Sequence, residues 1–328
     1  MSTLHNRISR RELKERLLAD PTPRTTISFY CYFPIEDPQQ FRNEFYAALT
    51  SLGVLGRIYV ANEGVNAQIS VPSHNLNGLR EYLDTISPLK GCRLNKAIGD
   101  DGKSFFVLDI KGRKKIVADG ITDPSFDMRK KGKYVSPADF NKLAQDPSTI
   151  IVDMRNYYEY EVGHFKNAME VPSNTFREQL PMASSLLKEN KGTTILMYCT
   201  GGIRCEKASA YMLHQGFENV FHLEGGVINY AQKVKEEGLP SLFIGKNFVF
   251  DERLGERITI VRCSTGMLAK SCAAEMAGCC SATCLQTVAL PPEKRKQLRK
   301  GKDLGQHIFN KSRDRLKNIS NKPSTNNS

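Results

Sequence analysis

Ile195-Leu-Met-Tyr-Cys199-Thr-Gly-Gly-Ile-Arg204-Cys205-Glu206 is the stretch on which the reading of this chain turns. The run from Thr193 to Cys199 (TTILMYC) is continuously apolar, as a strand buried on both faces reads. Two glycines then let the backbone curl tightly, and Glu206 to Gln215 (EKASAYMLHQ) continues as a helix that begins near Arg204. The backbone N–H groups of Thr200, Gly201, Gly202 and Ile203 should point inward at one centre, with a helix N-terminus behind them and the Arg204 guanidinium nearby. Such a nest stabilises an anion at the Cys199 sulfur and lowers its pKa. Cys199 is therefore a candidate nucleophile and Arg204 its charge partner. The bland alternative is a buried cysteine at a strand end whose glycines serve geometry alone. A fixed cation in an anion-sized loop has no evident packing purpose, which favours the nucleophile.

Outward from this loop, residues 136–145 (SPADFNKLAQ) read as a short helix, 149–155 (TIIVDMR) as a second continuous apolar strand, and 219–223 (NVFHL) as a third. Continuous apolar strands alternating with helices specify a parallel sheet covered on both faces, so residues 137–240 form an α/β domain. Upstream, the β-branched and aromatic run 25–33 (TTISFYCYF) reads as a strand. Asp37 caps a helix over 41–52 that Gly53 ends, and 56–71 holds two apolar runs around Asn62, Glu63, Gly64 and Asn66, a hairpin pattern. A helix over 76–86 and a strand over 104–110 follow. Strand, helix, strand, strand, helix, strand is the order of a ferredoxin-like α+β sandwich over residues 25–115, with Tyr30, Tyr32 and Phe33 placed in its core. Residues 1–24 form a basic leader and 116–136, rich in Lys, Gly, Asp and Pro, a linker. A cysteine-containing segment (241–290) and a basic tail (291–328) complete the chain.

The 328 residues suit two or three domains, and 40% hydrophobic content excludes a chain disordered throughout. No apolar stretch approaches the ~20 residues needed to span a bilayer. The opening MSTLHNRISRRELKERLLAD carries charges where a signal peptide needs its apolar segment. The default compartment is the cytoplasm. The net charge of +12 is unevenly placed: between Pro291 and Asn318 ten basic residues, among them Lys294, Arg295, Arg299, Lys300, Lys311 and Arg313, face three acidic ones. A cationic tail attracts polyanions by counterion release, and in the cytoplasm that means RNA, with DNA not expected. A merely solvated tail is the competing reading. Nine cysteines in a reducing compartment point to catalysis, metal binding or packing and away from a disulfide framework.

The segment Cys199 to Cys205 resembles the six-residue active-site loop of rhodanese domains, and Ile151 to Ala168 (IVDMRNYYEYEVGHFKNA) resembles the rhodanese signature near the domain start. The spacing is Cys-x4-Arg, one residue short of the phosphate-cradling Cys-x5-Arg of cysteine phosphatases, which favours a sulfur-carrying role. By this resemblance Asp153, Arg155, Glu159 and His164 are scaffold. Val60 to Asn66 (VANEGVN), the cysteine loop, Asn247 to Arg253 (NFVFDER) and Ile308 to Arg313 (IFNKSR) together resemble the bacterial tRNA uridine hydroxylase family, UPF0176, over about Thr25 to Lys317. The resemblance implies oxygen-dependent conversion of the wobble uridine, position 34, to 5-hydroxyuridine. It further implies the anticodon stem-loop as partner, molecular oxygen as co-substrate, and Cys199 as a cysteine that passes through a persulfide. No cofactor is identified from the sequence.

Relatives in that family commonly carry paired Cys-x-x-Cys elements after the FDER stretch. Here Cys263 and Cys272 stand apart and only Cys279, Cys280 and Cys284 cluster, a poor spacing for tetrahedral zinc, so a small reduced-thiol cluster is favoured. Cys205 reads as helix packing, its sulfur turned away from the nest, in preference to a resolving thiol. Asn62, Glu63 and Asn66 suit either RNA contact or turn chemistry. Two other functions compete: a thiosulfate-type sulfurtransferase using the same Cys199, which leaves the first domain and the tail without a task, and a non-catalytic RNA-binding module, against which the intact loop speaks.

Overall fold

The computed structural model describes residues 8–258 apart from 101, 252 and 254. A first helix α1 (Arg10–Ala19) is capped by the Ser9 hydroxyl, so part of the basic leader is ordered secondary structure. The first domain runs β1 (Arg24–Tyr32), α2 (Pro38–Ser51), β2 (Leu55–Ala61), β3 (Gly64–Pro72), α3 (Leu76–Thr85), β4 (Asn95–Lys96) and β5 (Leu108–Gly112). Helix α2 starts where the sequence places its cap: Asp37 Oδ1 accepts from the Gln39 and Gln40 N–H groups at 2.9 Å each, and Pro38 opens the first turn. Past its end Gly53 takes φ +68.

The five strands lie in the order β4-β1-β3-β2-β5. The antiparallel β4-β1-β3-β2 core is the ferredoxin-like arrangement, but the strand that completes it is the two-residue β4. The strand expected over 104–110 is instead β5, parallel to β2 at the far edge. A two-residue strand lacks the apolar alternation that pattern reading needs.

Strand β1 alternates cleanly. Ile27, Phe29 and Cys31 face α2 and α3, packing with Phe45, Leu49, Leu79 and Leu83, and Phe33 also packs there. Tyr30 and Tyr32, expected in this core, are on the opposite face with Thr26 and Ser28, where successive strand residues must alternate. That opposite face is covered by the second domain.

The second domain is built from β6 (Lys133–Val135), α4 (Pro137–Leu143), β7 (Ile150–Asp153), α5 (Tyr157–Val162), β8 (Gly163–Phe165), β9 (Met169–Glu170), α6 (Phe176–Leu186), β10 (Ile195–Tyr198), α7 (Ile203–His214), β11 (Val220–Leu223) and α8 (Gly226–Glu237). Its main sheet, β6-β11-β10-β7-β9, is parallel throughout. Residues of α6 and α7 cover one face and residues of α4 and α8 the other, which is why β10 reads as unbroken apolar sequence. The stretch expected to be a linker contributes β6 to the sheet and buries Ile116 and Asp119. After α8, β12 (Phe243–Phe248) pairs with β8 and with β13 (Gly255–Arg257), so the first part of the cysteine-containing segment is strand.

Candidate active site

Cys199 follows β10, facing α7 like Ile195 and Met197 before it, and is 1% exposed. The loop turns over Gly202 (φ +104), where a Cβ would meet the Tyr30 hydroxyl at 2.9 Å. Helix α8 holds the loop from behind: the Val227 and Ile228 N–H groups donate to the Cys199 and Thr200 carbonyls at 2.9 and 3.1 Å. Gly226 (φ +65) allows this approach, since a Cβ there would lie 2.5 Å from the Cys199 carbonyl oxygen. The first domain holds it from the front. Asn95 Nδ2 donates to the Gly201 carbonyl at 3.3 Å and the Tyr32 hydroxyl to the Ile203 carbonyl at 3.3 Å.

The sulfur receives the Gly202 N–H at 3.2 Å. Cys205 offers it both a backbone N–H and its thiol, so the Cys205 sulfur points into the nest and not away from it: the first turn of α7 aims its side chain back toward the loop. Burial pushes the Cys199 thiol up. The Cys205 thiol, the Arg204 charge and the Cys205 and Gly202 amides outweigh it and bring the thiol down to about 6. Cys205, itself buried and donating to Cys199, is pushed well above the ordinary thiol range.

Arg204 has the packing partner that its sequence context did not reveal. It makes a two-pronged pair with Glu159, 2.7 and 2.9 Å, and also donates to the Thr200 hydroxyl at 3.2 Å, which in turn donates to Glu159 at 3.1 Å. Burial raises the Glu159 carboxyl, but the Arg204 guanidinium outweighs that and holds it below its usual range. Glu159 is thus part of the loop's charge system as well as the N-terminal turn of α5, where it accepts the Asn156 N–H at 3.0 Å. Asp153 and Arg155 form a separate buried pair, with the Tyr198 hydroxyl donating to Asp153 at 2.6 Å. His164 stacks on Tyr160, ring centroids 4.0 Å apart.

Cys199 and Arg204 line a cavity of about 240 Å³ whose opposite wall is the outer face of the first domain's sheet, with Asn66 and Gln68 of β3 among its groups. Phe250 and Arg253, from the NFVFDER stretch, close a third side, and Arg253 is fixed by Asp251 and Glu256 at 2.5 Å each. Gln68 and Ser28 carry no motif signal in the sequence. Only their alternation with apolar neighbours could have marked them as a polar stripe.

Asn62, Glu63 and Asn66 are engaged within the chain: Asn62 donates to the Ile35 carbonyl at 3.1 Å, Asn66 to Ile116, and Glu63 accepts from the Ile116 N–H and from Lys207 Nζ. Lys294, Arg295, Arg299, Lys300, Lys311 and Arg313 lie outside the described residues, as do Cys263, Cys272, Cys279, Cys280 and Cys284. Among the described residues no three His, Cys, Asp or Glu side chains gather as metal ligands, and no helix is long and apolar enough to cross a membrane.

A cysteine made acidic in a glycine-turned loop at the end of a parallel strand, with its Arg204–Glu159 pair, defines a rhodanese-type cysteine protein. Its other module, the first domain, is an acylphosphatase-like sandwich. Comparison agrees on both: residues 136–233 match the rhodanese-like domain and residues 24–116 the UPF0176 acylphosphatase like domain. The tRNA uridine(34) hydroxylase of Photorhabdus laumondii is 53% identical and that of Pectobacterium carotovorum 54% identical, each over 96% of both chains. The chain belongs to the tRNA uridine(34) hydroxylase family.

Proposed function

We propose that this chain hydroxylates uridine 34 of tRNA at C5, with the Cys199 sulfur as nucleophile and molecular oxygen as co-substrate. The observation that carries the reading is the acidified Cys199 sulfur on the wall of a cavity with room for one base, closed by residues of both domains. A base in a tRNA loop must leave its stack to reach such a site. The thiolate adds to electrophilic C6, which makes C5 enolate-like and reactive toward oxygen. Oxygen then bonds to C5. One oxygen atom stays as the hydroxyl, the second leaves as water with two electrons and two protons from a cellular thiol pair, and loss of the C5 proton expels the Cys199 sulfur. The loop amides and Arg204 hold the sulfur as an anion before addition and after release. A persulfide on Cys199 would place the nucleophilic sulfur one bond further into the cavity.

The anticodon stem-loop is the part of tRNA that presents position 34, and the basic tail supplies charge for its phosphates. The test is nucleoside mass spectrometry of tRNA from a deletion strain complemented with the wild-type gene or with Cys199→Ser. Complementation by wild type and absence of 5-hydroxyuridine with Cys199→Ser are expected; wild-type levels in the mutant remove this cysteine from the chemistry. Cyanide or thiol turnover without any effect on tRNA would instead support a plain sulfurtransferase.

A further inference from the structure

On the cavity wall opposite Cys199, Asn66 and Gln68 are two residues apart on β3 and face the same side of the sheet. Their amide orientations follow from one backbone group. The Ile116 carbonyl can only accept, so Asn66 turns Nδ2 toward it, 3.2 Å away. Asn66 Oδ1 is then left to accept, and Gln68 Nε2 donates to it at 3.2 Å. Flipping Gln68 would set carbonyl against carbonyl. Gln68 is thereby held with its Oε1 and its second N–H unclaimed by any described group. In register beside it on β1 is Ser28, whose buried Oγ has no partner among the described residues.

We infer that Gln68 reads the base: its Oε1 accepts the N3–H of uracil while its second N–H donates to an adjacent carbonyl oxygen. Asn66 is a positioning residue that fixes which way the amide points. This rests on the reading that position 34 enters this cavity. Uracil presents a donor flanked by acceptors along that edge, which an amide so oriented matches. Cytosine presents an acceptor at N3 beside a donor amine, so the same amide meets lone pair with lone pair and hydrogen with hydrogen. Uridine is selected over cytidine by an orientation set at Ile116, a residue between the two domains.

The test uses the full-length protein and anticodon stem-loops carrying uridine, 3-methyluridine or cytidine at position 34. Methylation removes the N3–H and leaves C5 and C6 in place. Wild type should favour uridine over 3-methyluridine by about 100-fold or more in kcat/KM. Gln68→Leu should lower kcat/KM for uridine roughly 10- to 100-fold and shrink the preference over 3-methyluridine to a few-fold, with the affinity for 3-methyluridine stem-loops little changed. Asn66→Ala frees the Gln68 amide to turn, and cytidine stem-loops should then compete better for the site. Wild-type kcat/KM and undiminished discrimination in Gln68→Leu overturn the inference. Should that variant not fold, Gln68→Met keeps the length and loses both the acceptor and the donor, and is judged by the same discrimination. A wild-type protein that makes no 5-hydroxyuridine from any stem-loop defeats the proposed function instead. Tighter binding of uridine than 3-methyluridine stem-loops, lost in Gln68→Leu, would even then read the inference directly.

Discussion

Cys199 and Cys205 are six residues apart, yet only one is set up to be an anion. Their difference comes from the direction of one hydrogen bond. Cys205 donates, so its own proton is held, while Cys199 receives that thiol and two amides beside the Arg204 charge. The Cys199 thiolate population should therefore rise with pH through about 6 and level off above it, where an ordinary thiol keeps climbing toward 9. Alkylation of Cys199 by iodoacetamide, followed by peptide mass spectrometry across pH 4 to 10, measures this directly. In Cys205→Ala the midpoint should move upward, because a donor to the charged form is gone; an unmoved midpoint would assign the acidity to Arg204 and the two backbone amides alone. The motif made Cys199 and Arg204 legible in the sequence. Glu159 was legible only as scaffold, because its pairing with Arg204 closes across 45 residues and no spacing rule reaches that far.

At the scale of elements, β10, the cysteine loop and α7 read directly from the chain, since a buried strand, two glycines and a helix are local patterns. What fixes the loop is not local. The N-terminus of α8 spends its first free N–H groups on the Cys199 and Thr200 carbonyls, and Gly226 is the residue that lets the backbones meet. Gly226→Ala requires a left-handed conformation in a residue with a Cβ, and that Cβ would sit 2.5 to 2.7 Å from loop backbone. The substitution should destabilise the protein by about 2 kcal/mol or more and reduce 5-hydroxyuridine formation more than the melting loss explains. Calorimetry and nucleoside analysis on the same variant separate the two effects. A variant with wild-type melting and activity would show that α8 does not hold the loop.

Across the whole molecule the two domains are joined by a partly buried ion cluster centred on Lys207 of α7. Lys207, 1% exposed, pairs with Glu63 of the hairpin turn at 2.5 Å and with Asp119 of the connecting stretch at 2.8 Å, and its Nζ lies 5.0 Å from the Tyr32 ring centroid. Lys115 reaches Asp119 as well, at 2.6 Å. The desolvation cost of such a cluster argues against counting it as a large net gain, but removing one member leaves the others uncompensated. Lys207→Met should cost about 3 to 5 kcal/mol and lower Tm by roughly 10 °C, read by thermal melting. A shift of a degree or two would mean that the interface stands on its other contacts. Glu206, in the preceding position, is held by Lys131 and by the hydroxyls of Tyr134 and Tyr30, so α7 carries one tie to the first domain on each of two successive residues.

The two modules, the strand-turn-helix that presents Cys199, and the family were legible in the amino-acid order, because each rests on contiguous residues whose periodicity or motif survives without knowledge of the partner. Only the folded chain shows where Tyr30 and Tyr32 face, that the connecting stretch is packed and strand-forming, that Cys205 donates to Cys199, and that Gln68 faces the same cavity. A strand's alternation says that two faces differ and is silent on what covers each. The outer face of the first sheet looks like a solvent face until a second domain closes over it, and only that closure turns a row of polar side chains into the wall of a site.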